Sequence, residues 1–217
     1  MTPATSPRCY PPSHPAPRTL GRGARLFAQG DVDDADVFVV LCGRSTVARG
    51  HRDRRAVTAV LGPGGMAGEL SVFDPGPRTS TVTATTGARV AVLARGDLLA
   101  WGTARPHVPA RLLQVLARRL RRTNSTVVDL MFVDIAGRVA NVLLERAARF
   151  GQRHGPEVWV PHGLTQAELG QLAGSSRETV NKVLSEFAGC SWLRLENRAV
   201  VLLDLPRLTQ RARVTGS

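Results

Sequence analysis

The segment from Leu164 to Leu184, LTQAELGQLAGSSRETVNKVL, constrains this chain more than any other. Leu169 and Leu172 fall on one face of a first short helix, and Val180, Val183 and Leu184 on one face of a second. Between them Gly174 can take positive φ without a Cβ clash, and Gly170 has no side chain to push the helices apart. The Ser/Thr-x-x-Glu spacing at Thr165…Glu168 and Ser175…Glu178 predicts a capping box at the start of each helix. Two helices joined by so short a turn cross steeply, which leaves the second one projecting with a polar, basic outer side. That is the geometry that lays a helix in the major groove of DNA.

Charge agrees with a polyanionic partner. Lysine and arginine outnumber aspartate and glutamate by 29 to 17, a formal charge of +12. The excess makes association salt-dependent without distinguishing DNA from RNA or an anionic membrane. Cys9, Cys42 and Cys190 are far apart and show no C-x-x-C spacing. This argues against a zinc site, an iron–sulfur cluster or a disulfide framework, predicts no bound metal, and fits a reduced, cytoplasmic setting. No apolar run approaches membrane-spanning length, so no membrane partner is expected. His51, His107, His154 and His162 are scattered, and Asp129 and Asp134 read as a helix-face charge and a helix N-cap. With no catalytic constellation, the chain is not expected to be an enzyme.

The 217 residues are long enough for two domains, and the patterning divides them into four parts. Residues 1–20 are rich in Pro, Ser and Thr, lack the apolar core of a signal peptide, and read as a disordered leader. Residues 21–106 carry short β-rich runs separated by Gly, Pro and Asp turns: Val37–Leu41, Ser45–Ala48, Ala56–Leu61, Ser80–Ala84 and Val90–Leu93. Such spacing predicts an all-β barrel or jelly roll. Residues 107–133 hold a long helix, from about Pro109 to Phe132, and a further helix runs from Ile135 to Phe150. Within residues 134–217 the helix-turn-helix is flanked by a strand at Val158–Val160 and a hairpin pairing Trp192–Leu195 with Val200–Leu203. The fold class is therefore α+β: a β-barrel, a long dimerisation helix and a C-terminal winged helix-turn-helix.

On the long helix, Leu113, Leu116, Leu120, Thr123, Val127 and Leu130 follow one another at steps of 3, 4, 3, 4 and 3. This is the a/d seam of a two-stranded coiled coil, although an amphipathic helix packed on its own domain has similar spacing. The basic run Arg118, Arg119, Arg121 and Arg122 narrows the apolar stripe and favours the homodimer seam. A dimer would also hold two recognition helices one turn of duplex apart, as a palindromic operator requires. Thr123 is a polar defect in the seam, with Asn124 beside it. Either it is tolerated by bonding to a backbone carbonyl, or it meets a polar group at the dimer interface.

The segment Gly62–Ser80 gathers glycines before Glu69, where backbone can approach a ligand closely. A short helical turn at Glu69-Leu70-Ser71 can aim N–H groups at an anion. Arg78 and Thr79 add a guanidinium and a hydroxyl, and guanidinium suits phosphate because it donates in a planar fork. Glu69 has the opposite role, accepting from sugar hydroxyls while partly balancing Arg78.

Three motifs carry a wider resemblance: Gly68-Glu69-Leu70-Ser71 followed by Arg78-Thr79; Arg122-Thr123-Asn124 with Phe132–Arg138; and Gly174–Val180. By these the chain resembles the cyclic AMP receptor protein / fumarate-nitrate regulator superfamily over about residues 22–213, in particular its actinobacterial cyclic AMP receptor-type regulators. The resemblance implies cyclic AMP as the allosteric ligand. Arg78 and Thr79 would take its phosphate, Glu69 its ribose 2′-hydroxyl, and Gly68, Leu70 and Ser71 would line the pocket. Thr123 of one subunit and Asn124 of the other would meet the adenine. In the recognition helix, Arg177 would pair a guanine edge, Glu178 would accept from cytosine, and Lys182 would touch a base or phosphate. Ser175, Ser176, Thr179 and Asn181 would complete the surface facing double-stranded DNA. RNA polymerase is a further candidate partner. Three departures stand out: Ala67 where a bulky apolar residue is usual, Arg44 where a small one is usual, and a short proline-rich N-terminus. They leave open an alternative, a regulator whose degenerate pocket answers another effector or none. A cyclic-nucleotide-binding subunit of an enzyme is a rival from another class, opposed by the winged helix.

Overall fold

The computed structural model describes residues 17–32, 35–51, 54–161, 165–197 and 199–213. The N-terminal half consists of two four-stranded antiparallel sheets closed over one core. The first has the order β1 (Pro17–Leu20), β8 (Ala88–Leu93), β3 (Val37–Cys42), β6 (Met66–Ala67). The second runs β2 (Arg25–Phe27), β7 (Thr81–Ala84), β4 (Ser45–His51), β5 (Arg54–Leu61). Alternation along the strands decides what lies between the sheets. Phe38 and Val40 of β3 point inward to meet Phe27, Val82, Ala84 and Val90, whereas Val37 and Val39 point outward. Onto that outer face pack α2 (Arg95–Ala104), through Leu98, and the start of α3 (His107–Phe132), through Val108, Leu112 and Val115.

One strand begins inside the segment expected to be a leader. Pro17–Leu20, expected within it, pairs residue by residue with Ala91 to Ala88. Pro17 stands at the first position of an edge strand, where a missing N–H costs no ladder bond. Residues 1–16 lie outside the described residues, as do His162 and Leu164.

The C-terminal half begins at α4 (Ile135–Phe150). Asp134 caps it as expected, accepting from the Gly137 N–H at 2.8 Å. A further sheet, ordered β11 (Leu193–Glu196), β12 (Ala199–Leu202), β10 (Glu157–Pro161), β9 (Gln152–His154), flanks α5 (Gln166–Ala173) and α6 (Arg177–Gly189). The chain's described part ends with α7 (Leu205–Ala212), packed on α4. Leu143, Leu184, Leu193, Leu202 and Leu208 are almost wholly buried together. Each such burial stabilises by roughly 1.5–3 kcal/mol before conformational entropy is counted.

The halves meet along the edge strand β5. The Val57 N–H donates to Gln171 Oε1 of α5 at 2.9 Å. Arg44 Nη1 donates to the Pro161 carbonyl at 3.2 Å, and its guanidinium lies 5.2 Å from the centre of the Phe150 ring. The unusual Arg44 thus ties the barrel to the C-terminal domain.

Candidate functional sites

The pocket is built on a backbone that only glycine tolerates. β6 leads into Gly68 at φ +89°, where a Cβ would lie 2.5 Å from the Asp36 carbonyl oxygen and 2.6 Å from Arg78 Nη1. The chain then enters the short helix α1 (Leu70–Phe73), with Glu69 at its N-cap. Arg78 is buried, donating to the carbonyls of Gly68 at 3.1 Å and Asp36 at 2.9 Å. Its guanidinium lies 4.5 Å from the Phe27 ring centre, a stacking that fixes the fork's orientation.

Gly68, Glu69, Leu70, Ser71, Arg78 and Thr79, all expected from the sequence, line one cavity of about 30 Å³. Arg119 of α3 also lines it, although the basic run it belongs to points to the solvent side of the helix. Its Nη1 pairs with Glu69 Oε1, and its Nη2 donates to the Met66 carbonyl at 2.7 Å. One signal could have found it. Arg119 stands four residues after Val115 and seven after Leu112, on the stripe that packs against the barrel.

Glu69 is 1% exposed, and its Oε2 is buried with no hydrogen-bond partner among the described residues. Burial pushes its carboxyl above the ordinary glutamate range; the Arg119 and Arg78 charges pull the other way without winning. An oriented, buried acceptor of this kind invites a hydroxyl donor.

Thr123 and Asn124 are exposed further along α3 and do not line the cavity within one chain. No residue of α3 is fully buried. Leu113, Leu120, Val127 and Leu130 are 66%, 62%, 50% and 48% exposed, so the apolar seam faces outward. Leu130 also sits against the helix-turn-helix, since a Cβ on Gly174 would lie 2.5 Å from its Cδ2.

In the helix-turn-helix, Gly174 takes φ 63°, ψ 42°, and Thr165 and Glu168 form the expected capping box. Gly170 is required by the turn itself, since a Cβ there would lie 2.9 Å from the Ser175 carbonyl oxygen. The second box is not formed at Ser175. Ser176 is the N-cap of α6, accepting from the Thr179 N–H at 3.2 Å. Ser176 takes the extended N-cap conformation, φ −76°, ψ 160°, one residue beyond the expected place. Glu178 is therefore outside a Ser175 box. Its own backbone N–H, then the Ser176 hydroxyl, hold its carboxyl below the usual range.

Ser176, Arg177, Glu178 and Lys182 are exposed on one side of α6, while Val180, Val183, Leu184 and Phe187 bury the other. Ser175, Thr179 and Asn181 are half-buried, and Asn181 Oδ1 is buried without a partner among the described residues. The set expected to face DNA thus splits into an exposed group of four and a half-buried group of three.

Among the described residues no three His, Cys, Asp or Glu side chains gather as metal ligands, and no helix is long and apolar enough to cross a membrane. Residues 17–101 match the cyclic nucleotide-binding domain family and residues 137–211 the Crp-like helix-turn-helix domain family. A CRP-like cAMP-activated global transcriptional regulator of Mycobacterium tuberculosis is 46% identical over 198 residues, 91% of this chain and 88% of that one. A cyclic AMP receptor protein of Thermus thermophilus is 36% identical, covering 86% of each chain. The solved structure of FixK2 from Bradyrhizobium japonicum has a TM-score of 0.79 at 21% identity, over 93% of this chain and 98% of that one. That likeness is one of fold.

Proposed function

The chain belongs to the CRP/FNR family of transcription regulators, with a cyclic nucleotide-binding domain joined to a Crp-like helix-turn-helix, and on that premise we propose a homodimeric regulator whose operator affinity is set by cyclic AMP. The observation that carries the nucleotide reading is the orphaned Glu69 Oε2 beside the same cavity as the buried Arg78. A cyclic nucleotide matches that pair, with a hydroxyl donor for the carboxylate and an anion for the guanidinium. In this arrangement Glu69 accepts from the ribose 2′-hydroxyl and Arg78, with Thr79, holds the phosphate. Gly68, Leu70 and Ser71 shape the wall. Thr123 and Asn124 lie beyond the cavity in one chain, so their contact with the base requires two α3 helices side by side.

The exposed seam of Leu113, Leu120 and Val127 supports such a pairing. Two chains joined there present two α6 helices to a palindromic duplex, with Arg177, Glu178 and Lys182 toward the bases and RNA polymerase as a further partner at promoters. The chain shifts toward its DNA-competent state only as far as that state binds nucleotide more tightly than the other.

A second reading keeps the DNA function and drops cyclic AMP. It is favoured by the small pocket: about 30 Å³ holds roughly one or two waters, and Arg119 sits across Glu69. Calorimetric titration with cyclic AMP separates the two. The sensor gives clear wild-type heat, and Arg78→Ala loses about 100-fold or more in affinity, as truncating one member of a buried charge pair does. Absence of wild-type heat at millimolar ligand leaves the second reading. On the DNA side, Arg177→Ala is expected to cost about 1–3 kcal/mol at the cognate operator and to relax specificity at one base pair. Binding assays on a substituted operator series check this, and an equal loss on every sequence would reduce Arg177 to a phosphate contact.

A further inference from the structure

Arg138, near the start of α4, touches neither the pocket nor the exposed face of α6, yet it holds three backbone carbonyls at once. Its Nη1 donates to Val133 at 2.7 Å, its Nε to Ala173 at 2.8 Å and its Nη2 to Gly174 at 3.5 Å. Val133 is the C-cap of α3, and Ala173 and Gly174 close α5. Carbonyls at helix C-termini lack intrahelical donors and carry the negative end of the helix dipole, which a cation suits. One planar guanidinium therefore joins the ends of two helices and spans the joint between the halves. Leu130 reinforces it, lying over Gly174 from the last turn of α3. The same joint is held from its other side by Arg211 of α7, whose Nη2 lies 2.5 Å from Asp134 Oδ2.

We infer that Arg138 is a positioning residue for DNA recognition: it locks the α5–α6 turn to the end of the dimer-forming helix, so that α6 keeps a fixed direction relative to α3. It reaches DNA only through that turn. The inference rests on α6 being the DNA-reading helix, and a mobile turn would spread α6 over orientations of which few fit the groove. Lysine cannot replace the fork, because an ammonium is a point charge without planar donors.

The test compares wild type, Arg138→Met and Arg138→Lys, each as the full-length chain, for operator binding across a salt series with saturating cyclic AMP. Both variants are expected to lose about tenfold in operator affinity, an ordinary magnitude for a coupling residue. Their salt dependence and cyclic AMP affinity should match wild type. Rescue by Lys, or a salt slope lower by about one, would make Arg138 a phosphate contact and overturn the inference. Unchanged affinity in both variants would overturn it too. Hydrogen exchange across residues 130–138 and 170–176 supplies a readout independent of DNA. Faster exchange in both variants supports the lock, and unaltered exchange sinks it even if wild type itself binds no operator, a result that would separately sink the DNA reading. Should Arg138→Met fail to fold, Leu130→Ala removes the second contact on the same turn and is expected to speed exchange there; unchanged exchange would count against the lock.

Discussion

Gly68→Ala is expected to destabilise the barrel by about 2–4 kcal/mol and to abolish cyclic nucleotide binding. Two costs add. At φ +89° an L-residue carries steric strain of roughly 1–2 kcal/mol, set by the clash of Cβ with its own backbone. The new methyl would also lie 2.5 Å from the Asp36 carbonyl oxygen and 2.6 Å from Arg78 Nη1, and the first of these is backbone that cannot swing aside. Relief of either contact moves Arg78, whose two carbonyl bonds and stack on Phe27 set the direction of its fork. Gly64 provides the control. It has φ +77° but nothing among the described residues within 4 Å of a built Cβ, so Gly64→Ala should carry only the strain, about 1–2 kcal/mol. Thermal melting and calorimetry on both variants check the pair. A Gly68→Ala protein that melts and binds like Gly64→Ala would show that the pocket wall adapts, and the argument from close approach would fail.

What is legible in the sequence follows from where each constraint resides. The helix-turn-helix can be read because its apolar positions, its αL glycine and its first capping box are all local. Strands of the barrel are legible from local letters too: β7, Thr-Val-Thr-Ala, buries alternate residues Val82 and Ala84, and β3 stands out as a continuous apolar run, Val-Phe-Val-Val-Leu. β1 is not, because Pro-Arg-Thr-Leu has no such pattern and is a strand only through its pairing with β8. The cap of α6 falls one residue beyond its expected place: two adjacent serines offer the same side chain, and the letters do not choose between them. Gly68, Glu69, Arg78 and Thr79 can be gathered because they lie within one glycine-rich segment. Arg119 cannot be added that way, since it is fifty residues from its partner Glu69 and shares a basic run with residues that face solvent. The outward seam draws attention to one stripe of α3, whereas Leu112, Val115 and Arg119 form the neighbouring one, a residue earlier at each step.

Arg119→Met should therefore expose how the pocket manages its carboxylate. Glu69 is almost wholly buried and Arg119 is its paired cation, so removing the guanidinium leaves an uncompensated charge and an unpaired Met66 carbonyl. Breaking a buried pair in this way commonly costs about 3–5 kcal/mol; Arg119 is 38% exposed and solvent already screens it, so about 2 kcal/mol is expected. The cost depends on pH. In wild type, burial already holds the Glu69 carboxyl above its ordinary range, and losing the Arg119 charge raises it further. A carboxyl raised on folding stabilises the fold fully below its unfolded value of about 4.3, and that contribution disappears as pH climbs through the folded value. The gap in melting temperature between wild type and Arg119→Met should accordingly be larger at about pH 8 than at about pH 5, where the variant's Glu69 takes up a proton instead of standing ionised and alone. Adding Glu69→Gln should close most of the gap on the alkaline side, because a neutral amide needs no counter-charge. A gap that is the same at both pH values and survives in the double variant would mean that Arg119 serves the fold through the packing of its stem, and that the pair does not govern the carboxylate on which the nucleotide reading depends.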